Sequence, residues 1–89
     1  MNKTDLIEKI AMRTDLSKNK AALALDATME EIIAALQRGD YVRLQGFGTF
    51  YVVESKARKY HNPRGGVFEV ENRRYPKFRV AQAMKDVVK

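Results

Sequence analysis

The segment 56–89 of this 89-residue chain concentrates side chains that can bind a polyanion. It holds ten Lys or Arg against three acids, a balance of +7, whereas residues 1–55 hold seven bases against eight acids, a balance of −1. The whole-chain net charge of +6 therefore comes from this segment. Clustered Lys and Arg are the electrostatic signature of a nucleic-acid-binding surface. A basic surface without a ligand is the alternative, and the segregation of charge disfavours it.

The tripeptide His61-Asn62-Pro63 lies in the middle of this basic segment. Proline has no backbone N–H and a fixed φ, so it suits a turn and leaves an apolar ring facing outward. Residues on both sides alternate between polar and apolar types, which predicts two extended strands joined by a turn near 62–66. The pattern is typical of a charged arm with a rigid apolar tip.

The elements that would carry this arm can be read from the rest of the sequence, beginning with a predicted helical hairpin over residues 1–38. The first, short amphipathic helix is expected to end near Thr14. Ser17 is a good N-cap for a longer helix that runs to about Arg38, and Gly39 follows as the residue that ends it. The apolar stripe of the longer helix indicates packing rather than a ligand site.

From Asp40 the apolar period changes from helical spacing to two. We expect residues 40–54 and 76–80 to form a three-stranded antiparallel sheet, with residues 55–75 as the protruding β-ribbon arm. Residues 81–89 are predicted to form a C-terminal helix. The fold class is therefore α+β, and 89 residues suit a single domain.

A chain of this size with part of its length in an arm buries little apolar surface, which favours dimerisation. It has no cysteine, no run of 18 apolar residues and no signal-peptide pattern, so we expect a soluble cytoplasmic protein without a membrane partner. With one histidine and no cysteine, neither a catalytic triad nor a metal cluster can be assembled within one subunit. We therefore expect no catalytic residue, no metal site and no cofactor.

The order of elements and two motifs resemble the HU/IHF family of bacterial histone-like DNA-binding proteins. The motifs are the run Gly46-Phe47-Gly48-Thr49-Phe50 and the pair Asn62-Pro63, and the resemblance covers essentially the whole chain. It implies an intertwined homodimer, or a heterodimer with a paralogue, whose two arms wrap duplex DNA in the minor groove. It further implies a nucleoid-associated protein that bends and condenses DNA with low sequence specificity, because minor-groove architectural proteins insert apolar wedges between base steps.

The resemblance also implies roles for individual residues. Pro63 would be the wedge, and Phe47, Phe50 and Phe78 would form the dimer core. Together with the basic residues of the chain, the expected DNA-binding set is Lys3, Lys56, Arg58, Lys59, His61, Asn62, Pro63, Arg64, Arg73, Arg74, Lys77, Arg79 and Lys85.

The chain departs from the family pattern at two places. Tyr60-His61 stands where the family usually has Gly-Arg, with Arg64 available as a replacement charge, and Val80-Ala81 stands where a glycine usually precedes the last helix. Three alternatives remain open at this point. One is an IHF-like protein that prefers particular DNA sites, and another is an RNA-binding module that stacks bases on aromatic residues of its basic ribbon. The third is a site-specific transcription factor that uses its ribbon in the major groove.

Overall fold

The computed structural model describes residues 1–55, 58–61, 65, 67–70 and 73–89, and for 58–61 and 67–70 the description covers the backbone. Within these ranges no helix has the length and apolar content needed to cross a membrane. The elements in chain order are α1 (Lys3–Thr14), α2 (Lys18–Gln37), β1 (Val42–Leu44), β2 (Gly48–Ser55), β3 (Arg58–His61), β4 (Val67–Val70), β5 (Arg73–Val80) and α3 (Gln82–Val87).

Helix α1 begins with a reciprocal cap between Asn2 and Asp5. The Asp5 N–H donates to Asn2 Oδ1 at 2.9 Å, and the Asn2 N–H donates to Asp5 Oδ2 at 3.2 Å. These bonds satisfy N–H groups that have no partner inside the helix, and the Asp5 carboxylate also faces the positive end of the helix dipole. The helix ends at Thr14, as the sequence predicts.

Helix α2 is capped at both ends by residues that the sequence singles out. Ser17 Oγ accepts the Lys20 N–H at 3.1 Å. Gly39 has a φ of 84°, and its N–H donates to the Leu36 carbonyl at 3.0 Å while the Asp40 N–H donates to the Ala35 carbonyl at 2.9 Å. This pair of bonds is a Schellman motif, which needs a left-handed residue at the glycine position. The helix therefore ends at Gln37, one residue before the predicted end.

The chain divides into two compact units, Met1–Ala34 and Ala35–Lys89. In the first unit, α1 and the greater part of α2 bury Ala11 and Ala21. Lys3 Nζ lies 2.7 Å from Asp26 Oδ1 in this unit. These contacts join the two predicted helices of the hairpin.

The second unit contains an antiparallel sheet with the strand order β1-β2-β5, which confirms the predicted three-stranded sheet. Strand β2 pairs with β1 on one side and with β5 on the other, and the β2–β5 register runs from Gly48↔Val80 to Ser55↔Arg73. Because side chains alternate along each strand, this register gives the sheet two faces. One of them, which we call the apolar face, carries Val42, Leu44, Phe50, Val52, Pro76, Phe78 and Val80.

Gly48 is required on the apolar face by close packing. A Cβ atom at this position would lie 2.3 Å from Phe78 Cζ and 2.6 Å from the Arg79 carbonyl oxygen. Both distances are shorter than real Cβ contacts, so the strand can approach β5 here only without a side chain.

Strand β5 is longer than the sequence predicts. We assigned residues 73–75 to the arm and began the strand at Pro76, whereas the observed strand starts at Arg73 and pairs with β2 over its whole length. Proline is tolerated here because β5 has a paired neighbour on one side only within the described chain, and an edge strand does not need every backbone donor.

A second, two-stranded antiparallel sheet is formed by β3 and β4, with the register Arg58↔Val70 to His61↔Val67. It lies within the segment 55–75, where the ribbon was predicted. The last helix, α3, is shorter than the predicted 81–89 and spans Gln82–Val87. Its N-cap residue Ala81 makes no side-chain cap, and Val88 is no longer helical. The α+β fold class is confirmed.

Candidate nucleic-acid interface

The face of the β1-β2-β5 sheet opposite the apolar face carries most of the described positive charge of the strands. The register places seven side chains there that can bind a phosphate or stack on a base. We call this the basic face and define it by Arg43, Thr49, Tyr51, Arg73, Tyr75, Lys77 and Arg79.

The basic face is built in rows that run across the strands. Arg43 and Arg79 lie on either side of Thr49, and Lys77 lies opposite Tyr51. Arg73 lies opposite Ser55 at the far end of β2. Lys77 and Arg79 are two apart on β5 and therefore about 7 Å apart, whereas Arg73 lies four residues before Lys77 with Tyr75 between them. The cations of β5 thus follow one face of the strand as a stripe that Tyr75 interrupts. No acidic residue occupies the described positions of this face, and the stripe is therefore free to attract a polyanion.

Two tyrosine rings are interleaved with these cations. The Arg79 guanidinium carbon lies 5.3 Å from the centre of the Tyr51 ring. The Lys77 ammonium lies 5.6 Å from the centre of the Tyr75 ring. Both distances fall within the range of cation–π attraction.

Arg74 lies on the other side of the sheet from Arg73. Its Nη2 donates to the Leu36 carbonyl at 3.4 Å, and its Nε lies 3.3 Å from Glu54 Oε1. Leu36 belongs to the last turn of α2, and its carbonyl, which already accepts the Gly39 N–H, accepts a second hydrogen bond from Arg74 at the end of that helix. The structure therefore separates two neighbouring arginines that the sequence analysis placed in one DNA-binding set.

Two further residues of the expected set lie outside the strands. Lys3 is in α1 and forms the ion pair with Asp26 described above. Lys85 is exposed in the last turn of α3.

The remaining members of the expected set belong to the sequence segment 55–75. Arg58, Lys59 and His61 belong to β3, where the backbone is described. The other four lie outside the described residues; these are Lys56, Asn62, Pro63 and Arg64.

The three phenylalanines expected in a dimer core lie together. The ring centres of Phe50 and Phe78 are 4.7 Å apart, and those of Phe47 and Phe78 are 5.6 Å apart. Phe47 is nevertheless 48% exposed and Phe78 is 38% exposed in the single chain. A ring cluster that is so incompletely covered is suited to an interface with a second chain.

Four residues of the basic face are absent from the DNA-binding set expected from the sequence, namely Arg43, Thr49, Tyr51 and Tyr75. Arg43 occupies the row of Thr49 and Arg79, and Tyr51 and Tyr75 carry the two cations. Side chains alternate along β1, so the Arg43 side chain points to the face opposite that of Val42 and Leu44. This period of two is visible in the sequence and could have identified Arg43. Tyr51 and Tyr75 are identified only by the register between β2 and β5, which shows that they share a face with Lys77 and Arg79.

Comparisons with known proteins agree with this arrangement. A family model described as bacterial DNA-binding protein matches residues 1–89. The DNA-binding protein HU-beta of Neisseria meningitidis is 47% identical over 89 residues, which cover 99% of this chain and 100% of that protein. The DNA-binding protein HU of Staphylococcus aureus is 44% identical over 90 residues and is matched over the full length of both chains.

Solved structures show the same similarity. HU from Anabaena, determined in a cocrystal with DNA, matches with a TM-score of 0.83 and 36% identity, covering 99% of this chain and 97% of that one. HU from Thermotoga maritima matches over the full length of both chains with a TM-score of 0.73 and 32% identity.

Proposed function

The chain belongs to the bacterial DNA-binding protein family to which HU belongs, and on this premise we propose that it is a histone-like architectural protein that binds and bends duplex DNA. The observation that carries the proposal is the basic face, where Arg43, Arg73, Lys77 and Arg79 share one side of a sheet whose other side is apolar except for the Glu54–Arg74 pair. Such a sheet can lie against a nucleic acid with one face and against protein with the other.

Phosphate contacts would supply the affinity. Each neutralised phosphate releases condensed counterions, so the logarithm of the binding constant falls with the logarithm of salt by about 0.9 per contact. The four cations of the basic face, added to the bases of the ribbon, suit several such contacts. Binding should therefore weaken steeply as salt is raised.

Bending would come from the arm. A rigid apolar group without an N–H can enter a base stack without leaving a buried donor unsatisfied, and Pro63 has both properties. Unstacking one base step costs about a few kcal/mol, and bending a site costs on the order of 1 to 6 kcal/mol. The phosphate contacts would offset these costs.

Sequence preference should be weak. A wedge in the minor groove reads a degenerate pattern of hydrogen-bonding groups, mainly distinguishing A·T from G·C pairs. Flexible, nicked or kinked DNA should be preferred because it costs less to deform. This behaviour is expected of HU rather than of a protein restricted to particular sites.

We further propose that the chain acts as one domain over residues 1–89 and as a dimer, either of identical chains or with a paralogue. The exposed phenylalanine cluster supports a second subunit. Association with the bacterial nucleoid follows from the family. Double-stranded DNA is favoured over RNA as the ligand because the Anabaena relative was solved with DNA, and the relatives are named for DNA binding rather than for catalysis.

Gel mobility on linear, nicked and cruciform duplexes of equal length, each at two salt concentrations, tests the proposal. We expect tighter binding to nicked and cruciform DNA than to linear DNA, with affinity for all three falling as salt rises. A single-stranded RNA of the same length serves as the competitor. Equal affinity for all three DNA forms, or stronger competition by the RNA than by bent DNA, would count against an architectural role.

A further inference from the structure

We propose that Tyr51 and Tyr75 are positioning residues, whose rings hold the Arg79 and Lys77 side chains in place for DNA phosphates. The inference rests on the proposed function, because it assigns a role within the same basic face. It concerns two residues whose types alone do not mark them as part of a phosphate-binding surface.

The geometry assigns one cation to each ring. Lys77 lies directly opposite Tyr51 in the strand register, yet its ammonium lies over Tyr75, two residues away on its own strand. The position over Tyr51 is taken by Arg79, which reaches it diagonally from the row of Thr49. Because each ring holds one cation, the two positive charges are spread along the stripe.

Both tyrosine rings are at least partly exposed to solvent. Tyr75 is 41% exposed and Tyr51 is half-buried. Burial of the tyrosines in a protein core therefore does not account for these two residues. Their partners Lys77 and Arg79 are exposed, and one face of each ring carries a cation.

The physical advantage of this arrangement is entropic. Long Lys and Arg side chains lose rotamer freedom when they are fixed on a phosphate. A ring that already restricts the cation reduces this loss, and exposed cation–π contacts correspond to about two- to fivefold in an equilibrium constant. The ring adds no charge, so it should change affinity without changing the number of counterions released.

A double-mutant cycle between Tyr51 and Arg79 tests the inference by fluorescence anisotropy with a nicked duplex over a series of salt concentrations. We expect Tyr51→Leu to weaken binding about two- to fivefold with an unchanged salt slope. Arg79→Gln should weaken binding and lower the slope by about 0.9. In the Arg79→Gln background, Tyr51→Leu should have almost no further effect, because the ring has lost the cation that it positions.

The conservative variant Tyr51→Phe separates the ring from the phenol hydroxyl. It keeps the ring face, so it should restore most of the affinity lost in Tyr51→Leu. Tyr41→Leu, a change at a tyrosine that precedes β1, is the matched control and should bind like the unmodified chain. Additive effects of Tyr51→Leu and Arg79→Gln would overturn the inference, since the ring would then contact DNA independently. So would a Tyr51→Phe variant as weak as Tyr51→Leu.

The same cycle with Tyr75→Leu and Lys77→Gln provides a second test on a more exposed ring. Thermal unfolding of every variant identifies any that fails to fold.

Failure of the proposed function would be recognised by a different observation. In that case the unmodified chain itself would show no salt-dependent binding to duplex DNA. Binding by the unmodified chain together with zero coupling in either cycle would overturn this inference for the tyrosine of that cycle and leave the proposed function intact.

Discussion

At the scale of single residues, two neighbouring arginines of this chain have different surroundings. Arg73 and Arg74 follow each other in β5, so their side chains point to opposite faces of the sheet. Arg73 belongs to the basic face, whereas Arg74 contacts Glu54 and the Leu36 carbonyl. Charge alone therefore does not decide which arginine meets a phosphate.

We predict that Arg73→Gln and Arg74→Gln have contrasting effects. Arg73→Gln should lower the salt slope of DNA binding by about 0.9 and leave stability almost unchanged. Arg74→Gln should lower the free energy of unfolding by about 1 kcal/mol, because an exposed ion pair and a hydrogen bond to a helix carbonyl are lost. Anisotropy titrations in salt and urea unfolding measure the two effects. An unchanged stability of Arg74→Gln with a reduced salt slope would show that Arg74 contacts DNA instead.

How far the sequence predicts such roles depends on the kind of signal. The alternation of strand residues is visible in the sequence, and it separates Arg43 from Val42 and Leu44. The alternation does not show which residue a strand side chain contacts across the sheet or at the end of a helix. The contact between Arg74 and Leu36 joins positions far apart in the chain, and no local pattern marks it.

At the scale of elements, local signals predict the ends of α1 and α2 better than the start of β5. Ser17 and Gly39 act through bonds to their near neighbours, so their roles were predictable from sequence. Strand β5 begins at Arg73 because pairing with β2 continues past Pro76. That pairing depends on the length of β2, which the local sequence around Pro76 does not show. Pro76 considered alone suggests that the pairing stops there and does not extend back to Arg73.

Gly48 gives a prediction at this scale, since the approach of β2 to β5 leaves no space for a side chain. Gly48→Ala should lower the free energy of unfolding by about 1 to 3 kcal/mol, because Phe78 and the Arg79 carbonyl must move. Ser55→Ala, at the exposed far end of the same strand, is the control and should remain within about 0.5 kcal/mol. Urea unfolding of both variants measures the difference, and equal stabilities would contradict the packing argument.

At the scale of the whole molecule, the single chain leaves much of its apolar surface uncovered. Its buried apolar core among the described residues consists of Ala11, Ala21 and Ala35, while Phe47 and Phe78 remain partly exposed. Folding of such a chain should be coupled to association, because the partner supplies the surface that covers the rings. Small size and a predicted arm already indicate this from the sequence, and the family resemblance already implies Phe47, Phe50 and Phe78 as the dimer core. The ring distances and the exposed fractions of these residues required the structure.

We therefore predict that the unfolding midpoint rises with protein concentration. For a dimer that unfolds to two chains, each tenfold increase in concentration contributes about 1.4 kcal/mol. Thermal unfolding followed by circular dichroism at several concentrations measures this shift. Phe78→Ala should lower the midpoint at every concentration, because the variant removes the ring shared by both aromatic pairs. A midpoint independent of concentration would contradict coupled folding and association.

Ligase-mediated circularisation of a short duplex measures whether this family member bends DNA. A duplex of about 100 base pairs is shorter than the persistence length of about 150 base pairs, so it rarely closes by itself. We predict that the unmodified protein yields monomer circles, and that Pro63→Ala binds the same duplex but yields far fewer circles. If the unmodified protein gave only linear multimers at concentrations that saturate the duplex, the protein would bind DNA without bending it.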